Sequence, residues 1–287
     1  MRGKQHFLLI AFGSYGDVYP FFVLAKVLTS QGHSVSFATI PQYRQLLEHL
    51  GIRFLPMDAG GLWEAYCADR KAWDTSYGLH CFFRKFLGPM VRPVYRLVSD
   101  VVHQERQVLV IASVLALGAR IAYDSQPFRL LTANPYPIFF PSRRRPPVMP
   151  RYKRYDVGSG RVPLFPHALV NWLDEELFGP PERNPRIVFK KDAPPWRKWL
   201  AQVLSDRVLD RLLWPFVAGL ALPGCRLPRR RLFAEYAFSP EMTLGLFPDW
   251  FAPAQPDWPP HVALSTFPEL GALRRPPSDR LEAFLAA

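Results

Sequence analysis

The sequence predicts an α/β protein built on a doubly wound parallel sheet, and three observations predict it. A six-residue apolar run, Phe7 to Phe12, stops at Gly13, and Phe21, Leu24, Ala25 and Leu28 then recur at helical spacing, which reads as strand, loop and helix. A second unit of the same kind follows within residues 34–55 on short connections. Further on, the continuous apolar run Val108 to Ile111 leads through Ser113 into another helical pattern, Leu115 to Tyr123. Strands that alternate with helices in this way fold through right-handed crossovers into a parallel sheet with helices on its faces.

Taken in order, the first strand ends at the loop Gly13-Ser14-Tyr15-Gly16-Asp17-Val18-Tyr19-Pro20, placed at the carboxyl end of the sheet, where open α/β sheets bind their ligands. Its two glycines let the chain turn sharply and leave room beside the backbone, and Asp17 is its one carboxylate. Gly32 closes the first helix, and Ser34 to Ile40 reads as the second strand. A second helix starts at Pro41 with Tyr43, Leu46, Leu47 and Leu50 on one face, and Gly51 stops it before a short strand, Ile52 to Leu55. Residues 58–78 are aromatic and irregular; Trp63, Tyr66, Trp73 and Tyr77 either line a pocket or serve ordinary packing. An amphipathic helix is expected from Cys81 to Gln104, bent near Pro89 and Pro93, and a fifth strand from Phe128 to Thr132 that enters Asn134-Pro135-Tyr136-Pro137. Residues 1–140 thus form a core unit. Residues 141–195, rich in Pro and Arg with a short helix near His167 to Phe178, read as an irregular or lid-like insertion, and residues 196–287, opening on a helix from Trp196 to Trp214, complete the domain.

Composition narrows the class. Of 287 residues, 49% are hydrophobic and 14% aromatic, which excludes a disordered chain, while 31 prolines predict long irregular connections. Cys67, Cys81 and Cys225 are widely spaced without a metal-ligand pattern, which fits a reducing, cytoplasmic setting. Val108 to Ala119 is stopped by Arg120 well short of the roughly 20 residues a membrane span requires, so no transmembrane helix is expected. The net charge of +12 favours anionic partners, and part of it sits in Arg143-Arg144-Arg145 and Arg229-Arg230-Arg231. These clusters are either solvated loop charges or a peripheral attachment to the inner face of an anionic membrane; without stacking aromatics or a helix-turn-helix, nucleic acid is not an expected partner.

The motif Gly-Ser-Tyr-Gly-Asp-Val-Tyr-Pro-Phe at 13–21, with Leu24-Ala25, Gly32-His33-Ser34-Val35, the 113–122 pattern Ser-x-x-Ala-Leu-Gly-Ala-Arg-Ile-Ala and the run Pro256-Asp257-Trp258-Pro259, resembles the amino-terminal, acceptor-binding domain of nucleotide-sugar glycosyltransferases with two facing Rossmann-like domains, the GT-B fold. The similar branch holds sterol glucosyltransferases, antibiotic glycosyltransferases and the rhamnosyltransferase of rhamnolipid synthesis. The resemblance implies an inverting transfer of a hexosyl or deoxyhexosyl group from a nucleotide sugar to a hydroxyl of a lipid-like or polyketide acceptor. It implies Asp17 as general base, with Gly13, Ser14, Tyr15, Gly16 and Ser113 at the acceptor. This chain departs from the pattern at Tyr15, where the family has Arg, and at Ser265-Thr266-Phe267-Pro268, where Gly-Phe-Pro is usual. The His-Gly-Gly stretch and Asp-Gln pair of the donor domain do not occur, so the carboxy-terminal donor domain is expected to be absent, and the nucleotide sugar to be a co-substrate held by that missing half.

Read from residues alone, Asp17 has two roles open to it, base for an acceptor hydroxyl or cap of the first helix, and Ser113 is either an acceptor contact or a helix N-cap. His33 and His6 fall at the opposite end of the sheet. No Asp-x-Asp, His-x-x-x-His or Cys-x-x-Cys motif predicts a metal, Gly-x-x-Gly is not a dinucleotide fingerprint, and no resident cofactor is expected. The alternative to an enzyme is a non-catalytic module that binds a hydrophobic ligand or a partner.

Overall fold

The computed structural model describes residues 4–57, 60–73, 78–105, 107–140, 142, 195–220 and 227–269. The described residues form one seven-stranded sheet, entirely parallel, in the order β3-β2-β1-β4-β5-β6-β7. Its strands are β1 (His6–Ile10), β2 (Ser34–Thr39), β3 (Arg53–Pro56), β4 (Val108–Ser113), β5 (Arg129–Asn134), β6 (Met242–Gly245) and β7 (Val262–Leu264). Strands covered on both faces read as apolar runs, and Leu8, Leu9 and Ile10 of β1 are fully buried. β1 pairs with β2 on one side and β4 on the other, His6 opposite both Ser34 and Val108. The chain therefore winds one way from β1 to β3 and the other way from β4 onward. The reversal falls between β1 and β4, and the carboxyl ends of the strands at such a switch point are where sheets of this kind take ligands.

The helices are α1 (Tyr15–Ser30), α2 (Arg44–His49), α3 (Leu62–Ala68), α4 (Gly78–Cys81), α5 (Gly88–Gln104), α6 (Leu117–Ser125) and α7 (Pro195–Ala218). Val18, Phe21, Phe22 and Ala25 of α1 are buried, and Phe22 meets Phe37 of β2 with ring centroids 5.1 Å apart. Burial of such a ring is worth about 1.5–3 kcal/mol. The expected helix from Cys81 to Gln104 is present with a wider, π-type turn at Phe82–Leu87, which brings Phe83 and Phe86 into the core. Gly88, the first residue of α5, lies so close to α7 that a β-carbon would stand 2.3 Å from the Phe216 ring.

Two boundaries differ from the sequence expectation. α1 begins at Tyr15, so Tyr15 to Pro20, read above as loop, are its first turns. Pro20 withholds only the amide that would bond the Gly16 carbonyl, a local loss that burial of the helix outweighs. α6 begins at Leu117 instead of Leu115, with Ala116 at its N-cap. The insertion at 143–194 with its expected helix, Arg143-Arg144-Arg145, and the terminal helix Leu281 to Ala287 lie outside the described residues.

Candidate functional site at the switch point

Gly13 leaves β1 with φ +121°, a backbone geometry that favours glycine, and Ser14 then caps α1. Asp17 is the third helical residue, and its Oδ2 accepts hydrogen bonds from the Ser14 amide (2.8 Å) and the Ser14 hydroxyl (2.7 Å). This is the return half of a capping box. The cap role is thus real, but it occupies one oxygen only: Asp17 Oδ1 has no hydrogen-bond partner among the described residues. Burial pushes the Asp17 carboxyl above its ordinary value of 3.8, against the two Ser14 hydrogen bonds that pull it down. A carboxylate in that state is a stronger base than one in water.

The spaces left by the two glycines are already taken, contrary to the expectation that they admit a ligand. A β-carbon on Gly13 would stand 2.7 Å from Asp17 Oδ2, and one on Gly16 would stand 2.3 Å from the Tyr136 hydroxyl. Gly13 makes room for the carboxylate and Gly16 for a phenol. Tyr43 donates its hydroxyl to the Gly13 carbonyl (3.1 Å) and packs edge-on against Tyr15 at 5.3 Å. Burial, more than any charge, raises the Tyr43 phenol far above its usual range. Tyr15, in the place of the Arg of the resemblance, is 57% exposed and packs against Tyr19 and Tyr43.

Ser113 ends β4 at the same edge of the sheet. It is buried and its Oγ accepts the Leu115 amide at 3.3 Å, so it holds the turn before α6 and is not that helix's N-cap. Tyr136, which sequence reasoning passed over, reaches Gly16 from the loop after β5. The run Asn134-Pro135-Tyr136-Pro137 marks the loop, yet nothing in one sequence says that its phenol crosses two strands.

Aromatic rings continue from Tyr136 along this edge. Tyr136 meets Phe139 at 5.9 Å, Phe139 meets Phe233 at 5.8 Å and Phe233 meets Phe83 at 5.6 Å. Phe82 and Phe86 carry the series on to Trp63, 5.0 Å from Phe86. Trp63 and Tyr66 therefore pack against the core while staying half-exposed; Trp73 is exposed and donates its indole N–H to the Cys67 carbonyl (2.9 Å). Tyr77 lies outside the described residues.

His33 Nδ1 accepts the Gln5 amide at 3.3 Å and His6 Nε2 bonds Ser36 Oγ at 3.0 Å, both at the amino ends of the strands. An open space of about 440 Å³, lined by residues that include Arg120, Arg231, Tyr236, Ser239 and Trp258, contains none of the expected site residues. Ser239 and Pro240 precede β6, which puts it toward the amino ends, and two of its arginines are engaged: Arg120 pairs with Asp124, and Arg231 with Glu235. Arg229 stacks over Trp214 at 5.5 Å, so two members of the 229–231 cluster are structural. Among the described residues no cluster of three metal-ligating side chains occurs, and no helix is long and apolar enough to cross a membrane.

A parallel sheet in this order, with its glycine-marked switch-point loop, is a Rossmann-like α/β fold, similar to that of GT-B glycosyltransferases. The calicheamicin glycosyltransferase CalG4 shares the fold: the match has a TM-score of 0.52 at 13% identity and covers 97% of this chain and 56% of that one. Residues 7–121 match the glycosyltransferase family 28 N-terminal domain. It is also 40% identical over 53 residues, 18% of this chain and 4% of the relative, to a sterol 3-beta-glucosyltransferase of Yarrowia lipolytica. The chain spans little more than half the length of the CalG4 structure it matches.

Proposed function

We propose that this domain is the acceptor side of an inverting glycosyl transfer, with Asp17 as general base and an apolar alcohol as acceptor. The observation that carries the reading is the divided carboxylate: Oδ2 is fixed by Ser14 and Oδ1 is left free at the switch point. An acceptor hydroxyl gives its proton to Oδ1 as its oxygen attacks the anomeric carbon of a nucleotide sugar. The bond from that carbon to the diphosphate breaks, the diphosphate leaves with the electron pair, and attack opposite the leaving group inverts the centre. Raised basicity brings Asp17 nearer the pKa at which proton transfer is efficient.

The partly buried members of the ring series, Tyr136, Phe139, Phe82, Tyr66 and Trp63, support an apolar acceptor, since pockets for such ligands are walled by aromatic side chains with few polar groups. A sterol or polyketide alcohol is the class that the names of the relatives suggest. The nucleotide sugar would be met by a second Rossmann-like half facing this edge, and positioning both substrates there supplies several kcal/mol of the barrier reduction.

The test is turnover by an enzyme reconstituted from this domain and a donor half, with wild-type Asp17 and with Asp17→Asn. The variant is expected to lose about 10²–10⁴ in kcat while binding the acceptor as before. Wild-type rates in Asp17→Asn would remove Asp17 from the reaction, and a product with the donor's anomeric configuration would remove the inverting step.

A further inference from the structure

Gly16 presents a question of its own. It lies in the first turn of α1 with an ordinary helical backbone, so its conformation does not call for glycine as that of Gly13 does. A glycine inside a helix costs about 1 kcal/mol relative to alanine. A side chain at this position would have to displace the phenol, because the Tyr136 hydroxyl would be 2.3 Å from the β-carbon. The helix gives up stability to let one hydroxyl approach.

That hydroxyl is poised for a guest. Tyr136 is held at its backbone, where the amide donates to Asn134 Oδ1 at 3.2 Å, and at its ring by Phe139. Its Oη makes no hydrogen bond among the described residues, and it is not sealed from solvent as the orphaned Asn134 Nδ2 beneath it is. Burial and then the Asp17 charge push the phenol up to about 12, so it keeps its proton at working pH and acts as a donor. No direct hydrogen bond joins it to Asp17, although both groups stand against the same turn of α1.

Resting on the acceptor-side reading above, we infer that Tyr136 is an acceptor-positioning residue: its hydroxyl donates to the oxygen whose proton Asp17 Oδ1 receives, and Gly16 exists to admit it. An alcohol oxygen has two lone pairs and one proton. With the proton on Asp17 and one lone pair on Tyr136, the second lone pair is the one left to face the sugar. Two fixed contacts thereby aim the nucleophile, which one carboxylate alone cannot do.

The test is titration of the full chain with three probes of one skeleton: cholestanol, which can donate and accept; cholestanone, which can only accept; and cholestane, which can do neither. In Tyr136→Phe, affinity for the alcohol and for the ketone should each fall about tenfold, the worth of one hydrogen bond, with cholestane unchanged. Asp17→Asn, which keeps a hydrogen-bonding group at this place, should hold its affinity for the alcohol near wild type. Gly16→Ala should reproduce the Tyr136→Phe loss yet add little in the Tyr136→Phe background, where the ring carbon Cζ, 3.6 Å away, is an ordinary contact. Equal binding of all three probes by the wild type would overturn both the inference and the acceptor reading. A wild type that prefers the oxygenated probes, with Tyr136→Phe keeping the whole preference, would overturn the inference alone.

Discussion

Asp17 and Asp210 are the same side chain put to opposite uses. Both are raised above the ordinary carboxylate value chiefly by burial. Asp210, on α7, spends both oxygens on backbone: Oδ2 accepts the Arg231 amide and Oδ1 the Leu232 amide, each at 2.7 Å. Arg231 needs that anchor, since its φ of +58° is one that a branched or bulky side chain seldom adopts. Asp17 spends one oxygen on Ser14 and keeps the other. The lesson is that burial and a shifted proton affinity do not by themselves mark a reacting group. The count of unsatisfied acceptor positions, and which edge of the sheet they face, separates a joint from a site.

The comparison can be broken at either carboxylate. The largest effect expected is on rate at Asp17, as above, with little change in unfolding. At Asp210 the order reverses: Asp210→Ala should lower unfolding free energy by about 3 kcal/mol, because one buried and one half-buried amide lose a charged acceptor, while acceptor affinity stays near wild type. Urea denaturation of both variants measures it, and a marginal loss at Asp210 would erase the contrast. Gly13→Ala comes next, at about 2 kcal/mol, since it forces a left-handed backbone and drives a methyl group toward Asp17 Oδ2.

A smaller effect sharpens the comparison through pH. A carboxyl whose folded pKa is raised binds its proton more tightly folded than unfolded, so the native state gains from protonation. That gain is full below the unfolded value of 3.8 and is lost as pH rises through the folded value of Asp17. Asp17→Asn carries no such titration, so its stability relative to wild type should grow over the same window, measured by urea midpoints at successive pH values. A difference that stays constant with pH would mean that burial does not penalise the charge.

The parts of this arrangement were unequally legible in the sequence. β1, β2 and β4 were plain because strands covered on both faces must be apolar throughout, as Leu8 to Ile10 are. The start of α1 was not, because Gly16 and Pro20 are loop residues by local preference and are helical here through the burial of Phe21, Phe22 and Ala25. The short strand β6 depends on pairing with β5, and β7 on pairing with β6, which no local pattern displays. Asp17 could be picked out as the one carboxylate in a glycine-marked segment; that one of its oxygens is fixed and the other free is a fact of three dimensions. Asp206 and Asp210, four residues apart on a helix that also buries Leu213 and Val217, left a signal that could have been read as a buried anchor.

The most direct measurement is the pH dependence of kcat/KM for an enzyme reconstituted from this domain and a donor half. If Asp17 is the base, the wild-type profile rises with unit slope through a midpoint above 3.8, and the residual activity of Asp17→Asn lacks that acid limb. The same acid limb in both proteins would contradict the account.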